Sequence, residues 1–167
     1  MCSSDLLLQA SARLVAEGFV VPKVEVGGVL RLTDARHPLL LRRGSEAIVP
    51  LALALGDPHR LLVVTGPNTG GKTVVLKTVG LLALMALSGL PIPAGPGAQI
   101  PFYKVVLADI GDEQAIAQNL STFSSHVQRM AKCLAQASAQ SLVLLDELGA
   151  GTDPEEGGVL RSEEHHV

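Results

Sequence analysis

The sequence predicts an α/β protein, with an open and mostly parallel sheet flanked by helices, and three observations predict it. Two short runs, residues 61–65 (Leu-Leu-Val-Val-Thr) and 141–145 (Ser-Leu-Val-Leu-Leu), are apolar almost throughout, as strands covered on both faces are. Helical patterns alternate with these strand patterns along the chain, which is the order that crossover connections impose on parallel strands. Polar residues capable of chemistry gather just past the strand ends, where ligands sit in such sheets. The core has to be aliphatic, because the 167 residues include three Phe, one Tyr and no Trp.

In chain order, residues 7–18 carry a weak helical signal. Residues 24–33 alternate loosely around Gly27-Gly28, as a hairpin would. Residues 34–38 read as a turn, 48–55 as a short strand and Gly56-Asp57-Pro58 as a loop. A buried strand at 61–65 then leads into a glycine-rich loop at 66–71 and a long apolar helix over 72–87. That helix stops at Ser88-Gly89, and Pro91 and Pro93 bar its continuation. Residues 104–108 read as a strand. From Ser121 on, the apolar residues Phe123, Val127, Met130, Leu134 and Ala137 recur at helical spacing and predict one buried face. Residues 141–145 form the last strand and end at Asp146-Glu147.

Composition narrows the function classes. A net charge of −3 gives no basic footprint, so any nucleic-acid contact is expected from other segments. Two cysteines, Cys2 and Cys133, make neither a disulfide framework nor a metal spacing, which fits a reducing, cytoplasmic setting. The longest apolar stretch, residues 79–90, is interrupted by Gly80, Ser88 and Gly89. It falls short of the about 20 apolar residues that a membrane span needs. No signal peptide is visible, and no membrane partner is expected.

The chemistry concentrates in a few places. Gly66-Pro67-Asn68-Thr69-Gly70-Gly71-Lys72-Thr73 fits the phosphate-loop pattern G-x-x-x-x-G-K-[ST] in full. Glycines let backbone N–H groups turn inward around a phosphate without Cβ clashes, and the following helix offers its positive end to the same anion. Lys72 would reach the β- and γ-phosphates and the Thr73 hydroxyl would bind Mg²⁺, so ATP and Mg²⁺ are the expected ligands. The plain alternative, a glycine turn that happens to match, must also explain a strand before it and a helix after it. Asp146, at the end of an apolar strand, is placed to hold Mg²⁺ through its water shell, and Glu147 to polarise an attacking water as general base. Alone, such a pair is as readily two carboxylates leaving a strand; a phosphate loop upstream favours the functional reading.

Two further segments have both a functional and a plain reading. In Asp109-Ile110-Gly111-Asp112-Glu113-Gln114, Gln114 would reach metal or water, or the segment is a solvated loop. In the segment 120–126, Ser121 or Thr122 caps the helix that follows, and a capped helix N-terminus is also an anion site. Beyond the carboxylates, Asp153, Pro154 and Glu156 would start another helix.

Both ends read as non-native. Residues Cys2-Ser3-Ser4-Asp5-Leu6 are one translation of a common sequencing adapter, and Arg161-Ser162-Glu163-Glu164-His165 one translation of its reverse complement. The plain alternative is an ordinary charged tail. The expected organisation is therefore a non-native end at 1–6, a remnant of a preceding core or lever region at 7–33, a partial P-loop ATPase domain at 34–160 and a non-native end at 161–167.

Taken together these segments resemble the ATPase domain of the MutS family, in the branch called MutS type two. The residues that carry the resemblance are 65–74 (Thr-Gly-Pro-Asn-Thr-Gly-Gly-Lys-Thr-Val) and 76–81 (Leu-Lys-Thr-Val-Gly-Leu). It continues through 109–114, 120–126 and 146–154, and covers roughly residues 35–157. Mismatch-repair members of the family instead show Met-Ser-Gly-Lys-Ser in the loop. The resemblance implies a P-loop NTPase core of the ABC type, here truncated on its C-terminal side, whose ATP hydrolysis drives a homodimeric clamp. Full-length members are described as endonucleases that bind mismatched or branched DNA, or as ribosome-rescue factors. By this likeness Ser121 reaches the γ-phosphate held by the other subunit, and residues 149–153 line the dimer interface. Arg36-His37-Pro38 matches the segment that packs around the adenine, although His37 is equally a turn residue. DNA or ribosome contact would come from regions outside this chain. The sequence departs from the pattern at Pro91 and from Gly158 onward. Two alternatives stand beside this reading: a nucleotide-binding fragment without catalysis, and an ABC-type ATPase of another family. The latter would carry a Leu-Ser-Gly-Gly signature, which this sequence lacks.

Overall fold

The computed structural model describes residues 3–44, 48–67, 70–110 and 121–146, and these divide into two compact units, residues 1–104 and 105–167. The fold is mixed α/β in both.

The first unit opens with helix α1 (Ser3–Ala16), which starts inside the segment expected to be non-native and runs on through residues 7–16. Strands β1 (Lys23–Glu25), β2 (Leu30–Ala35), β3 (Leu51–Leu55) and β4 (Gln99–Pro101) form one sheet in the order β1-β4-β2-β3. β1 and β4 run parallel, with Lys23 opposite Gln99, whereas β2 is antiparallel to both β3 and β4. This unit therefore does not have the mostly parallel sheet that the sequence predicts. Nor is 24–33 a hairpin: β4 lies between β1 and β2, so the Gly27-Gly28 turn joins strands that are not neighbours. A turn signal is local, and it cannot tell whether a distant strand will insert between the two it connects.

Strand β2 sets the inner face of the sheet. Leu30 and Leu32 point into the core, and Arg31 and Thr33 point out. The register then slips between Leu32 and Ala35, where Asp34 takes φ 48°, and the slip brings Ala35 back to the buried side. Ile92, Ala98 and Ile100 add to this core. Just past the slip, the Gly95 N–H donates to the Thr33 carbonyl at 2.6 Å and the Arg36 N–H to the Pro93 carbonyl at 2.9 Å. A Cβ on Gly95 would stand 2.7 Å from Thr33 Oγ1, so this close approach needs a glycine. The short helix α2 (Pro38–Arg42) follows, with Pro38 in its first turn, where a missing N–H costs nothing.

Helix α3 (Lys72–Leu87) has the bounds that the sequence predicts. Val79, Leu82, Ala83 and Ala86, spaced i, i+3, i+4 and i+7, are its buried stripe. It ends in a Schellman motif: the Leu90 N–H reaches the Met85 carbonyl at 2.9 Å, the Gly89 N–H reaches the Ala86 carbonyl at 3.0 Å, and Gly89 sits at φ 76°.

Residues 61–65, expected as a buried strand, are not a strand. They have no ladder partner among the described residues, and Leu61, Leu62, Val63 and Val64 are 68%, 48%, 53% and 36% exposed. Apolar β-branched composition signals a preference for burial, but a strand exists only where a neighbour completes its hydrogen bonds. Together with β3 and Val75, residues 62–65 line an open apolar groove of about 450 Å³.

The second unit is a strand–helix–strand crossover. Strands β5 (Val105–Asp109) and β6 (Ser141–Leu145) pair in parallel, with Val105 opposite Ser141 and Asp109 opposite Leu145. Helix α4 (Ser121–Gln136) connects them and packs against both. Here the parallel arrangement and the strand at 141–145 are as the sequence predicts. The buried face of α4 is not: Val127 and Leu134 are 39% and 60% exposed, while Met130 and Cys133 are the half-buried positions. A small two-stranded sheet covers less of a helix than the full apolar stripe offers.

The Schellman end of α3 gives a measurable expectation. Gly89→Ala meets no neighbouring atom within 4 Å, so its cost is backbone strain alone, about 1–2 kcal/mol. Leu82→Ala, at a side chain with no exposure, should cost more, about 2–5 kcal/mol. Urea unfolding of the two variants should rank them in that order.

Candidate functional site

The loop before α3 is shaped by its glycines. Gly66 has φ 148° and Gly71, the N-cap of α3, has φ 80°; both are backbone conformations that side-chain-bearing residues rarely adopt. The Gly70 N–H closes back on the Pro67 carbonyl at 2.9 Å. Lys72, the first helical residue, folds over the loop, and its Nζ donates to the Gly66 carbonyl at 2.6 Å. The Lys72 ammonium thus meets the Gly66 backbone at the positive end of a 16-residue helix. Thr73 follows in the first turn of α3. Asn68 and Thr69 lie outside the described residues. A helix N-terminus with one cation beside it makes a set of groups that fits a phosphate.

His37 stands at the N-cap of α2 and makes no capping hydrogen bond with its side chain. Its Nδ1 is buried with no hydrogen-bond partner among the described residues. Burial first, and the charge of Lys77 on α3 second, hold its imidazole below the usual 6.5. The bend that carries His37 therefore faces the helix that begins at the loop.

In the second unit, two carboxylates share one end of the parallel ladder. Asp109 closes β5 and Asp146 follows β6, both are buried at 8% and 6% exposure, and the Asp146 N–H donates to the Asp109 carbonyl at 3.0 Å. Arg129, on α4, reaches Asp109 with Nε 3.1 Å from Oδ1. The carboxyl end of parallel strands is where such sheets receive ligands. Ser121 is the first residue of α4, and its side chain lies outside the described residues, as do Gln114, Glu147 and the segment 149–153 in full.

Sequence reasoning named Asp109 only as part of a polar segment, and it missed Arg129 and the Lys77 neighbour of His37. The signal for Asp109 was present: Val105-Val106-Leu107-Ala108-Asp109 repeats the pattern of Leu142-Val143-Leu144-Leu145-Asp146, an apolar strand closed by an aspartate. Nothing in one sequence pairs Arg129 with it.

Fold and site define an α/β protein that presents a glycine-built loop at a helix N-terminus and, in its second unit, buried aspartates at the ends of parallel strands. Residues 62–163 match the family MutS domain V. The chain is 57% identical over 154 residues to "Endonuclease MutS2" of Thermomicrobium roseum, which covers 92% of this chain and 18% of that protein. It is 52% identical over 141 residues to the protein of that name from Clostridium botulinum (strain Eklund 17B / Type B), covering 84% and 18%. With that of Solidesulfovibrio magneticus it shares 47% identity over 156 residues, covering 93% and 20%. The chain belongs to the MutS family, within its domain V. It spans about a fifth of the length of these relatives. No helix among the described residues is long and apolar enough to cross a membrane.

The His37 environment predicts a pH dependence. Because its folded pKa lies below 6.5, the unfolded chain binds this proton more readily. The stability that His37 contributes is thus whole above the unfolded value, and it is lost as pH falls through 6.5 toward the folded one. Between about pH 7.5 and about pH 5.5 the urea midpoint should fall more steeply for the wild type than for His37→Asn. Equal slopes would show that the imidazole titrates as it does in the unfolded chain.

Proposed function

We propose that this chain is the nucleotide-binding part of a MutS-type-two ATPase, with a P-loop core of the ABC type. It takes ATP with Mg²⁺ at the loop formed by Gly66, Pro67, Asn68, Thr69, Gly70, Gly71, Lys72 and Thr73. The observation that carries this reading is the loop itself: two glycines at positive φ, opening α3, with Lys72 Nζ drawn across to the Gly66 carbonyl. The β-phosphate would lie against the loop amides, and Lys72 would exchange its carbonyl contact for phosphate oxygens. Thr73 and Asp146 would hold Mg²⁺, which supplies charge neutralisation on the phosphates. Glu147 would orient and deprotonate the attacking water, and Lys72 would steady the charge that develops on the leaving phosphates. His37, kept neutral by its surroundings, suits packing against an uncharged base.

Ser121 would contact the γ-phosphate bound by a second copy, so that two chains close around two nucleotides. The longer protein would use this closure as a clamp on mismatched or branched DNA, or on ribosomes, through segments outside this chain. The printed name of the relatives, endonuclease MutS2, favours the DNA arm. A cytoplasmic location goes with either arm. The second reading is nucleotide binding without turnover.

Titration calorimetry with Mg·ATP tests the site. Lys72→Ala should weaken binding by at least about tenfold, about 1.4 kcal/mol, with an unchanged far-ultraviolet spectrum. Thr73→Ala should remove the part of the affinity that depends on Mg²⁺. Wild-type affinity in Lys72→Ala would remove the loop from the proposal. Phosphate release per chain should rise with protein concentration if Ser121 acts across a dimer, and Ser121→Ala should abolish that rise while ATP still binds.

A further inference from the structure

Arg129 reaches the carboxylate end of the ladder from α4, outside the sheet, and the reading above gives it no role. Its Nε lies 3.1 Å from Asp109 Oδ1, with the guanidinium 58% and the carboxylate 9% exposed. Asp109 is held from two sides. Its side chain is held by Arg129 on α4, and its backbone carbonyl receives the Asp146 N–H at 3.0 Å. The ladder register, Asp109 opposite Leu145, makes this the last bond before the chain leaves the sheet. The Asp109 peptide thus bears on where Asp146 begins, and Arg129 holds the Asp109 side chain.

We propose that Arg129 is a positioning residue for the metal-side carboxylate Asp146, acting through Asp109 and tying α4 to the Mg²⁺ subsite. The proposal rests on the reading of Asp146 as a Mg²⁺ group. Groups that orient a metal ligand at one remove typically change metal affinity by about 10–100-fold when removed. The Asp109 contact is made through Nε, a donor of fixed direction, which a lysine ammonium does not reproduce. Because α4 begins at Ser121, the same contact ties the helix proposed to meet a second copy to the carboxylate that holds the metal.

The experiment titrates Mg²⁺ against the 167-residue chain at fixed ATP, with nucleotide binding as the readout, in the wild type, Arg129→Met, Arg129→Lys and Asp146→Asn. ATP affinity in excess chelator is measured in parallel. Arg129→Met should raise the Mg²⁺ concentration for half effect about tenfold and Asp146→Asn at least as much. Arg129→Lys should raise it about threefold, and neither Arg129 variant should change metal-free ATP affinity. An ion pair that only braces the fold would lower both affinities together, or would leave the Mg²⁺ dependence as in the wild type; either result overturns the proposal. Should Arg129→Met fail to fold, Arg129→Lys decides alone, since it keeps the charge and loses the directed bond. If Asp146→Asn leaves the Mg²⁺ dependence unchanged, or the wild type shows none, the metal reading of Asp146 fails and the positioning role falls with it.

Discussion

The conformation of two glycines governs what this chain can do at its helix terminus. A helix that begins at Lys72 directs its first N–H groups out of its end, and the chain must arrive there without covering them. Gly66 at φ 148° and Gly71 at φ 80° provide that approach. With ordinary residues at these positions the backbone at Gly66 and Gly71 would be strained, and the contact from Lys72 to the Gly66 carbonyl would be lost. The long apolar helix behind the loop then fixes the direction of the whole arrangement. Its buried stripe and its Schellman end allow one placement of its N-terminus. Local backbone freedom and packing therefore work as a pair: Gly66 and Gly71 turn the chain, and the buried stripe of α3 fixes the helix that they lead into.

The second unit solves a different problem by related means. Two aspartates are buried at the same strand end, and charge in such a place is costly unless other groups meet it. The Arg129 guanidinium supplies part of that compensation to Asp109, and a hydrogen bond from the Asp146 backbone ties the two residues together. Such an end is held by bonds from within its own unit. The half-exposed guanidinium leaves the pair open to water on one side, so its strength should fall as salt rises.

Elements bounded by their own local chemistry were legible in the sequence. Helix α3 was readable to the residue because Gly71, Gly89 and the prolines that follow punctuate it, and β6 because a short apolar run ends at an aspartate. The glycine loop was legible for the same reason, as were both halves of the strand–helix–strand unit. What could not be read depends on partners distant in the chain. The Gly27-Gly28 turn suggested a hairpin because nothing near it announces β4. Residues 61–65 suggested a buried strand because composition reports a preference and not the presence of a neighbour. The stripe on α4 gave the helix correctly and its buried face incorrectly, since the sheet beneath it is only two strands wide. The place of Lys72 at the start of α3 could be read from spacing, whereas the contact of Arg129 with Asp109 needed coordinates to be seen at all.

The insertion of β4 between β1 and β2 also bears on how the chain is made. Lys23 has to meet Gln99, and Arg31 meets the same residue from the other side, so the centre of the first sheet is missing until that stretch has been synthesised. At roughly 5–20 residues per second, β1 leaves the ribosome several seconds before its partner. During that interval β2 and β3, which are nearer in sequence, can already be paired, while β1 remains an unzipped strand. Contacts of this separation slow folding because the loop they close is long. The Gly95–Thr33 and Pro93–Arg36 bonds belong to the same late event, so the bend carrying His37 is shaped after the glycine loop and most of α3 have emerged. The glycine-loop end of the first unit is thus synthesised before the contacts that shape the His37 bend can form.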